Sequence, residues 1–253
     1  MKLNYKKYGA GKPFLILHGL FGSSDNWHTH GKRLSEYFEV YLIDQRNHGD
    51  SDWSDEFSYD LMAEDLHQFI EEHGLENLTI LGHSMGGKTA MRYAQLYPNK
   101  IEKLISVDMG TQANEASHDD IIAGLESIDL AKISSRREAD EQLAKFEPNR
   151  TVRQFLLKNL HREGKDSFRW KINIPVLAKE YAEILKGLPE EEVMLDTLFI
   201  NGGKSGYIRE EDKDKIRRFF PLADFYTIEN AGHWVHAEQP EEFINKVLEY
   251  TLL

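Results

Sequence analysis

Short apolar runs alternate with helical stripes along the first hundred residues. Leu3 to Tyr8, Pro13 to Leu17, Glu39 to Ile43, Leu78 to Leu81 and Lys103 to Val107 read as strands. Between the third and fourth, Leu61, Met62, Leu66, Phe69 and Ile70 recur at helical spacing and stop at Gly74. Lys88 to Leu96 reads as a second helix, with Ala90, Met91, Ala94 and Leu96 inward and Pro98 as its stop. Strands that alternate with helices build βαβ units, so the expected class is α/β: a mainly parallel sheet with helices on both faces.

From about Gln112 to Leu188 the pattern becomes consecutive helices. Ser117 is placed to cap a helix carrying Ile121, Ile122, Leu125 and Ile128. Ser135 with Glu138 makes a capping box that leads to Ala139, Leu143 and Phe146. Thr151 precedes Val152, Phe155, Leu156 and Leu160, with Gly164 as the stop, and Ile174 to Leu185 forms a further helical stretch closed by Gly187 and Pro189. A segment of roughly 75 residues is too long for a simple crossover. Alternation then resumes with a strand at Thr197 to Ile200, a helix at Glu211 to Phe220, a strand at Asp224 to Ile228 and a last helix at Glu241 to Leu252 behind Pro240. The expected organisation is a core of residues 1–111 and 189–253 that carries a helical cap of residues 112–188.

Composition narrows the function classes. The chain has 253 residues and a net charge of −12, which argues against nucleic-acid or anionic-membrane binding, since both need basic surfaces. No apolar run approaches the roughly 20 residues that span a bilayer, and Met1 to Lys7 lacks the apolar centre of a signal peptide. There is no cysteine, so neither a disulfide nor a thiol nucleophile is available. The expectation is a cytoplasmic protein, a monomer or homodimer, acting on a small molecule.

Most of the strands end in polar or glycine-rich clusters, and in open parallel sheets ligands bind outside the carboxyl ends of strands. The sharpest cluster is Gly82-His83-Ser84-Met85-Gly86, directly after the apolar run Leu78 to Leu81 and ahead of a helix. That order builds a tight strand-to-helix turn with the serine hydroxyl standing out at its apex, the elbow that presents a nucleophile. A hydroxyl needs a base within hydrogen-bonding reach. His233, in Asn230-Ala231-Gly232-His233-Trp234, follows the last strand and hangs at the same end of the sheet, whereas His236 beside the final helix reads as structural. The third member is a carboxylate that orients the imidazole. The stretch after the strand at Thr197, Ile200 to Tyr207, holds no acid in the expected place. Asp108, at the end of Lys103 to Val107, is therefore preferred to the group Glu210, Glu211 and Asp212, which reads as helix-starting acids. Backbone amides of Met85 and of Leu20, with Phe21 as fallback, are the expected oxyanion donors. Asp44 to Ser51 reads as structural, with Arg46 pinning neighbouring loops. Phe21, Phe155, Leu156, Trp170, Tyr181 and Trp234 are candidates to line an apolar acyl pocket. No zinc-type spacing occurs.

These residues resemble the α/β-hydrolase superfamily over the whole chain, and more closely the small bacterial YbfF-type esterases, relatives of abhydrolase domain-containing protein 11. The resemblance rests on Leu17-His18-Gly19-Leu20-Phe21-Gly22-Ser23, Asp44-x-Arg46-Asn47-His48-Gly49, Gly82 to Lys88, Gln154 to Lys158, and Gly232-His233-Trp234-Val235-His236-Ala237-Glu238. The family pattern sets the catalytic acid in a Val/Ile-Asp segment, here Val107-Asp108. It implies a cofactor-free hydrolase of short acyl esters, with acyl thioesters as further substrates. Met109-Gly110-Thr111 departs from the small apolar–proline pattern that follows the acid in the family. A carbon–carbon-bond hydrolase or lyase of the same fold, and a slow-hydrolase ligand receptor, are the alternatives.

Overall fold

The computed structural model describes residues 1–115, 118–164 and 167–253. Nine strands occur among them: β1 (Tyr5–Tyr8), β2 (Pro13–Leu17), β3 (Glu39–Ile43), β4 (Leu78–His83), β5 (Ile101–Val107), β6 (Leu160–Glu163), β7 (Ser167–Trp170), β8 (Thr197–Gly202) and β9 (Ala223–Ile228). Seven form one sheet in the order β1-β3-β2-β4-β5-β8-β9. All pairings in it are parallel except β1 with β3.

Strand alternation divides the apolar residues between two faces. Leu15, Leu17 and Ile80 pack under helices Tyr59–Glu72 and Met85–Leu96. Phe14, Ile16, Leu81, Ile105 and Val107 face the other way, onto Trp27, Leu34, Phe243, Ile244 and Val247. Both faces are therefore covered, which is why β4 is buried at every position.

Helix Tyr59–Glu72 carries the predicted stripe, with Met62, Leu66, Phe69 and Ile70 buried. Ser58 accepts the Leu61 amide at 3.1 Å at its start. At its end Gly74 has φ +60 and the Leu75 amide bonds back to the Ile70 carbonyl at 3.0 Å, a Schellman stop. Helix Met85–Leu96 starts directly on the serine and buries every residue from Met85 to Ala94. Leu96, expected inward, is exposed, because in the last turn Tyr93 and Tyr97 take the core-facing positions.

Arg46 behaves as its loop suggested. Its Nε bonds Asp65 at 2.6 Å, and its terminal nitrogens bond the carbonyls of Glu56 and Leu61. Both side chains of the Arg46–Asp65 pair are buried. Removing one partner leaves an uncompensated buried charge, so Asp65→Ala is expected to lower stability by about 3–5 kcal/mol, read from the urea midpoint.

The segment between β5 and β8 holds helices Asp119–Glu126, Arg136–Leu143, Arg150–Leu156, Ile174–Lys179 and Tyr181–Leu185. Ser117, the expected first cap, lies outside the described residues. Asn149, two residues before Thr151, caps the third helix by accepting the Thr151 amide at 2.9 Å. The expected unbroken stretch Ile174 to Leu185 is interrupted at Glu180, whose φ −97 and ψ 15 leave the helical region. The run of helices is also broken by the antiparallel hairpin β6–β7. Leu160 is the only buried residue of β6, too little to hold a helix face, and Gly164 at φ +65 follows that strand instead of ending a helix. Arg162 covers the Phe168 ring at 4.8 Å across the hairpin.

Candidate active site

The sheet order reverses between β2 and β4: from β2 the chain moves to β3 on one side, and from β4 to β5 on the other. A crevice opens at such a switch point, outside the carboxyl ends of the strands. The turn after β2 and the turn after β4 meet there.

Ser84 occupies the apex of the β4 turn with φ +52 and ψ −120, a strained conformation for a residue with a side chain. The flanking glycines permit it by removing side-chain bulk. A Cβ on Gly82 would stand 2.1 Å from the Gly86 carbonyl oxygen, and one on Gly86 would stand 2.5 Å from that of Leu17. The motif spacing is thus a packing requirement that lets strand and helix cross while the hydroxyl is pushed outward.

Two more segments converge on the same cavity. His233 follows β9, and its Nδ1 donates to Asp108 Oδ2 at 2.6 Å. Asp108 terminates β5 with φ +48 and is fully buried. Its backbone amide bonds the Ile200 carbonyl at 2.7 Å, its Oδ1 accepts the Gly202 amide at 3.1 Å, and its Oδ2 also accepts Ser205 Oγ at 2.5 Å. Three donors thus share one carboxylate, one from the last residue of β8 and one from the loop after it, the stretch that holds no acid in the expected place. The Tyr207 ring lies over the imidazole at 4.2 Å and 21°. On the other side, His83 Nε2 donates to the His233 carbonyl at 2.8 Å. Burial and the neighbouring His233 hold His83 down at about 3, so it stays neutral. The His233 ring is therefore gripped by Asp108, Tyr207 and His83, with Nδ1 occupied. Its Nε2 engages no partner among the described residues. Ser84 and His233 both line the cavity, without a hydrogen bond between them among the described residues; such contacts tighten when substrate binds.

Glu210, Glu211 and Asp212 form a short 3₁₀ turn instead. Asp212 accepts the Arg209 amide at 3.0 Å, and none of the three touches His233.

The turn after β2 supplies amides. Phe21 has φ +59, and its N–H donates to His48 Nε2 at 3.3 Å. His48 Nδ1 donates to the Arg46 carbonyl at 2.8 Å, and burial holds that ring neutral by lowering it to about 3, so Nε2 keeps the lone pair that accepts Phe21. Phe21 is spent as a donor. The Leu20 amide has no acceptor among the described residues, and neither has that of Met85 in the first turn of its helix. His18 holds the same turn, accepting the Gln45 amide at 3.0 Å and donating to Gly19 O at 2.8 Å. His236 is buried and stacked on Trp27 at 4.1 Å, a packing role.

The cavity has a volume of about 80 Å³. Phe21, Phe155, Tyr181 and Trp234 line it, together with Leu20 and Leu156. Trp170 does not. It lies on β7 opposite Leu160 and faces a separate surface groove with Trp53, Leu130 and Pro175, because the hairpin turns it to the outside of the segment. Ser205 and Tyr207 went unassigned in the sequence. The signal present was the loop they share: a hydroxyl there is the neutral group left where an acid was sought.

The α/β hydrolase fold family model matches residues 12–130. A putative esterase/lipase of Haemophilus influenzae is 40% identical over 251 residues, which cover 97% of this chain and 86% of that one. Esterase YbfF of Escherichia coli is 32% identical over 99% of both chains. A solved structure described as a marine microorganism esterase superposes with a TM-score of 0.96 at 45% identity, over 98% of this chain and 99% of that one. With a likeness of that extent in sequence, and with a parallel sheet, elbow and loops of this form, the chain belongs to the α/β-hydrolase family in which esterase YbfF is found.

Proposed function

We propose that the chain is a serine carboxylesterase that hydrolyses short-to-medium acyl esters through an acyl-enzyme. The observation that carries this reading is the Asp108–His233 bond beside the Ser84 elbow. With Nδ1 donating to a carboxylate, the neutral imidazole keeps its lone pair on Nε2, the atom left for the serine proton. In this mechanism Ser84 Oγ attacks the ester carbonyl as Nε2 takes its proton. The Leu20 and Met85 amides hold the oxyanion, and collapse of the tetrahedral adduct expels the alcohol, which leaves with the proton from Nε2. Water then repeats the sequence on the acyl-serine and releases the acid.

The names of the relatives, esterase and esterase/lipase, support the reaction class. Residues 112–188 act in this reading as a cap on a core of 1–111 and 189–253, closing the acyl pocket. Asn159 Nδ2, for instance, bonds the Phe21 carbonyl at 2.7 Å across the two parts. Acyl thioesters fit the same chemistry. Arg136, a cation of the same segment, bonds the Leu160 carbonyl through two nitrogens. A cytoplasmic location suits a chain without cysteine, and among the described residues no helix is long and apolar enough to cross a membrane.

The test is a panel of p-nitrophenyl esters and matched thioesters of graded chain length. A cavity of 80 Å³ is small beside one of about 150 Å³ that accepts benzene. The expected kcat/KM is therefore highest for two to four acyl carbons, by roughly tenfold over longer chains. Absence of turnover on every ester, or a maximum at ten carbons or more, defeats the proposal.

A further inference from the structure

Lys88 is a buried cation beside the site that the acyl-transfer scheme leaves unused. It lies one turn beyond Ser84 on helix Met85–Leu96, at 0% exposure, and no carboxylate bonds it among the described residues. Its Nζ donates to the Lys186 carbonyl at 2.6 Å and to that of Leu185 at 3.3 Å. Tyr59, whose ring lies 5.7 Å from the same Nζ, donates its hydroxyl to the Ile184 carbonyl at 2.7 Å. Three successive carbonyls at the end of helix Tyr181–Leu185 are thereby held from the core. A helix end leaves such carbonyls without partners and partly negative, so a cation and a hydroxyl suit them. Tyr181, Ile184 and Leu185 in turn line the cavity that Ser84 faces.

Other charges nearby are matched elsewhere. Asp60 and Glu191 engage Arg92, and Lys186 pairs with Glu183. Burial raises Tyr59 and keeps it neutral. The ammonium thus has carbonyl dipoles and a ring face as its counter-groups.

We infer that Lys88 and Tyr59 clamp the end of helix Tyr181–Leu185 and so set the wall of the acyl pocket, which makes Lys88 a positioning residue for acyl-chain selection. The inference rests on the esterase reading for its kinetic consequence and on the geometry alone for the clamp.

Burial lowers Lys88 to about 7 from its ordinary 10.5. Below pH 7 the group is charged in both folded and unfolded chains. As the pH rises from 7 toward 10.5 the folded chain sheds the proton while the unfolded chain keeps it, so this group makes the fold more stable. The clamp weakens over the same range, because an amine donates less strongly than an ammonium. Stability and pocket order move in opposite directions.

Lys88→Met keeps the stem and removes the charge. Its Tm at pH 6 is expected to equal or exceed that of the wild type, since a buried unpaired charge is lost. At pH 6 its KM for p-nitrophenyl butyrate rises about tenfold, while kcat for the acetate, too short to reach the wall, stays within twofold. From pH 6 to 9 the wild-type KM for butyrate rises about threefold and that of the variant stays flat. Tyr59→Phe, which loses only the hydroxyl, raises the same KM and stands in if Lys88→Met does not fold. Hydrogen exchange of the amides of residues 184–188 is faster in both variants. Unaltered exchange, or equal losses on acetate and butyrate with an unchanged pH profile, overturns the clamp. Faster exchange in the two variants, beside a wild-type protein that turns over no ester, overturns the proposed function and leaves the clamp standing.

Discussion

Ser84→Ala is expected to lower kcat on p-nitrophenyl acetate by about 10⁶-fold and to abolish labelling by a fluorophosphonate. Alanine takes the place of serine at φ +52 with the same Cβ, so the elbow keeps its shape and the Tm should hold. In the proposed mechanism what survives is the modest acceleration from the Leu20 and Met85 amides and the pocket, expected at about 10³–10⁴ over attack by water in solution. The measurement pairs stopped-time hydrolysis with gel detection of the fluorescent probe. A variant that still takes up the probe places the nucleophile elsewhere.

Asp108→Asn has the second largest expected effect, a loss of about 10⁴-fold in kcat. The carboxylate accepts from Gly202 N on one oxygen, and from Ser205 Oγ and His233 Nδ1 on the other. An amide has only one accepting oxygen. With that oxygen toward His233, its NH₂ confronts the Gly202 N–H, donor against donor. With the amide reversed, the NH₂ faces Nδ1, and the imidazole must carry its proton on Nε2. The second arrangement removes the base that the proposed mechanism assigns to Ser84. The rate should therefore fall without loss of the fold, and probe labelling should slow in proportion. Asp212→Asn, altering the rival acid, should leave kcat within twofold, because Asp212 is occupied with the Arg209 amide. A larger loss from Asp212→Asn than from Asp108→Asn would reassign the acid.

The two positions differ in how they can be read from a one-dimensional chain. Ser84 is local: β4, the flanking glycines and the following helix are contiguous, and the clash distances at Gly82 and Gly86 explain the spacing by themselves. The expectation of Asp108 over Glu210 to Asp212 rests on elimination, from a strand end and an empty loop.

The alternation of apolar runs by itself determined the class of fold, because parallel strands buried on both faces admit little but apolar residues, and the helices between them must repeat at 3.6. It also located the elbow, the histidine after the last strand, and the structural part of the Asp44 to Ser51 loop, each written in neighbouring residues. It did not foretell the β6–β7 hairpin, whose two strands bury only Leu160 and Phe168 among the described residues and so have no period strong enough to choose helix or strand. Nor did it reveal that Trp170 faces outward, that Ser205 and Tyr207 support Asp108 and His233, or that Phe21 spends its amide on His48. The Tyr207–His233, Phe21–His48 and Ser205–Asp108 contacts join residues 26 to 97 positions apart, and a single aromatic or hydroxyl side chain carries no mark of which distant neighbour it will meet. Only the tertiary fold decides that, by pairing β2 beside β4 and so bringing the turns at their ends together.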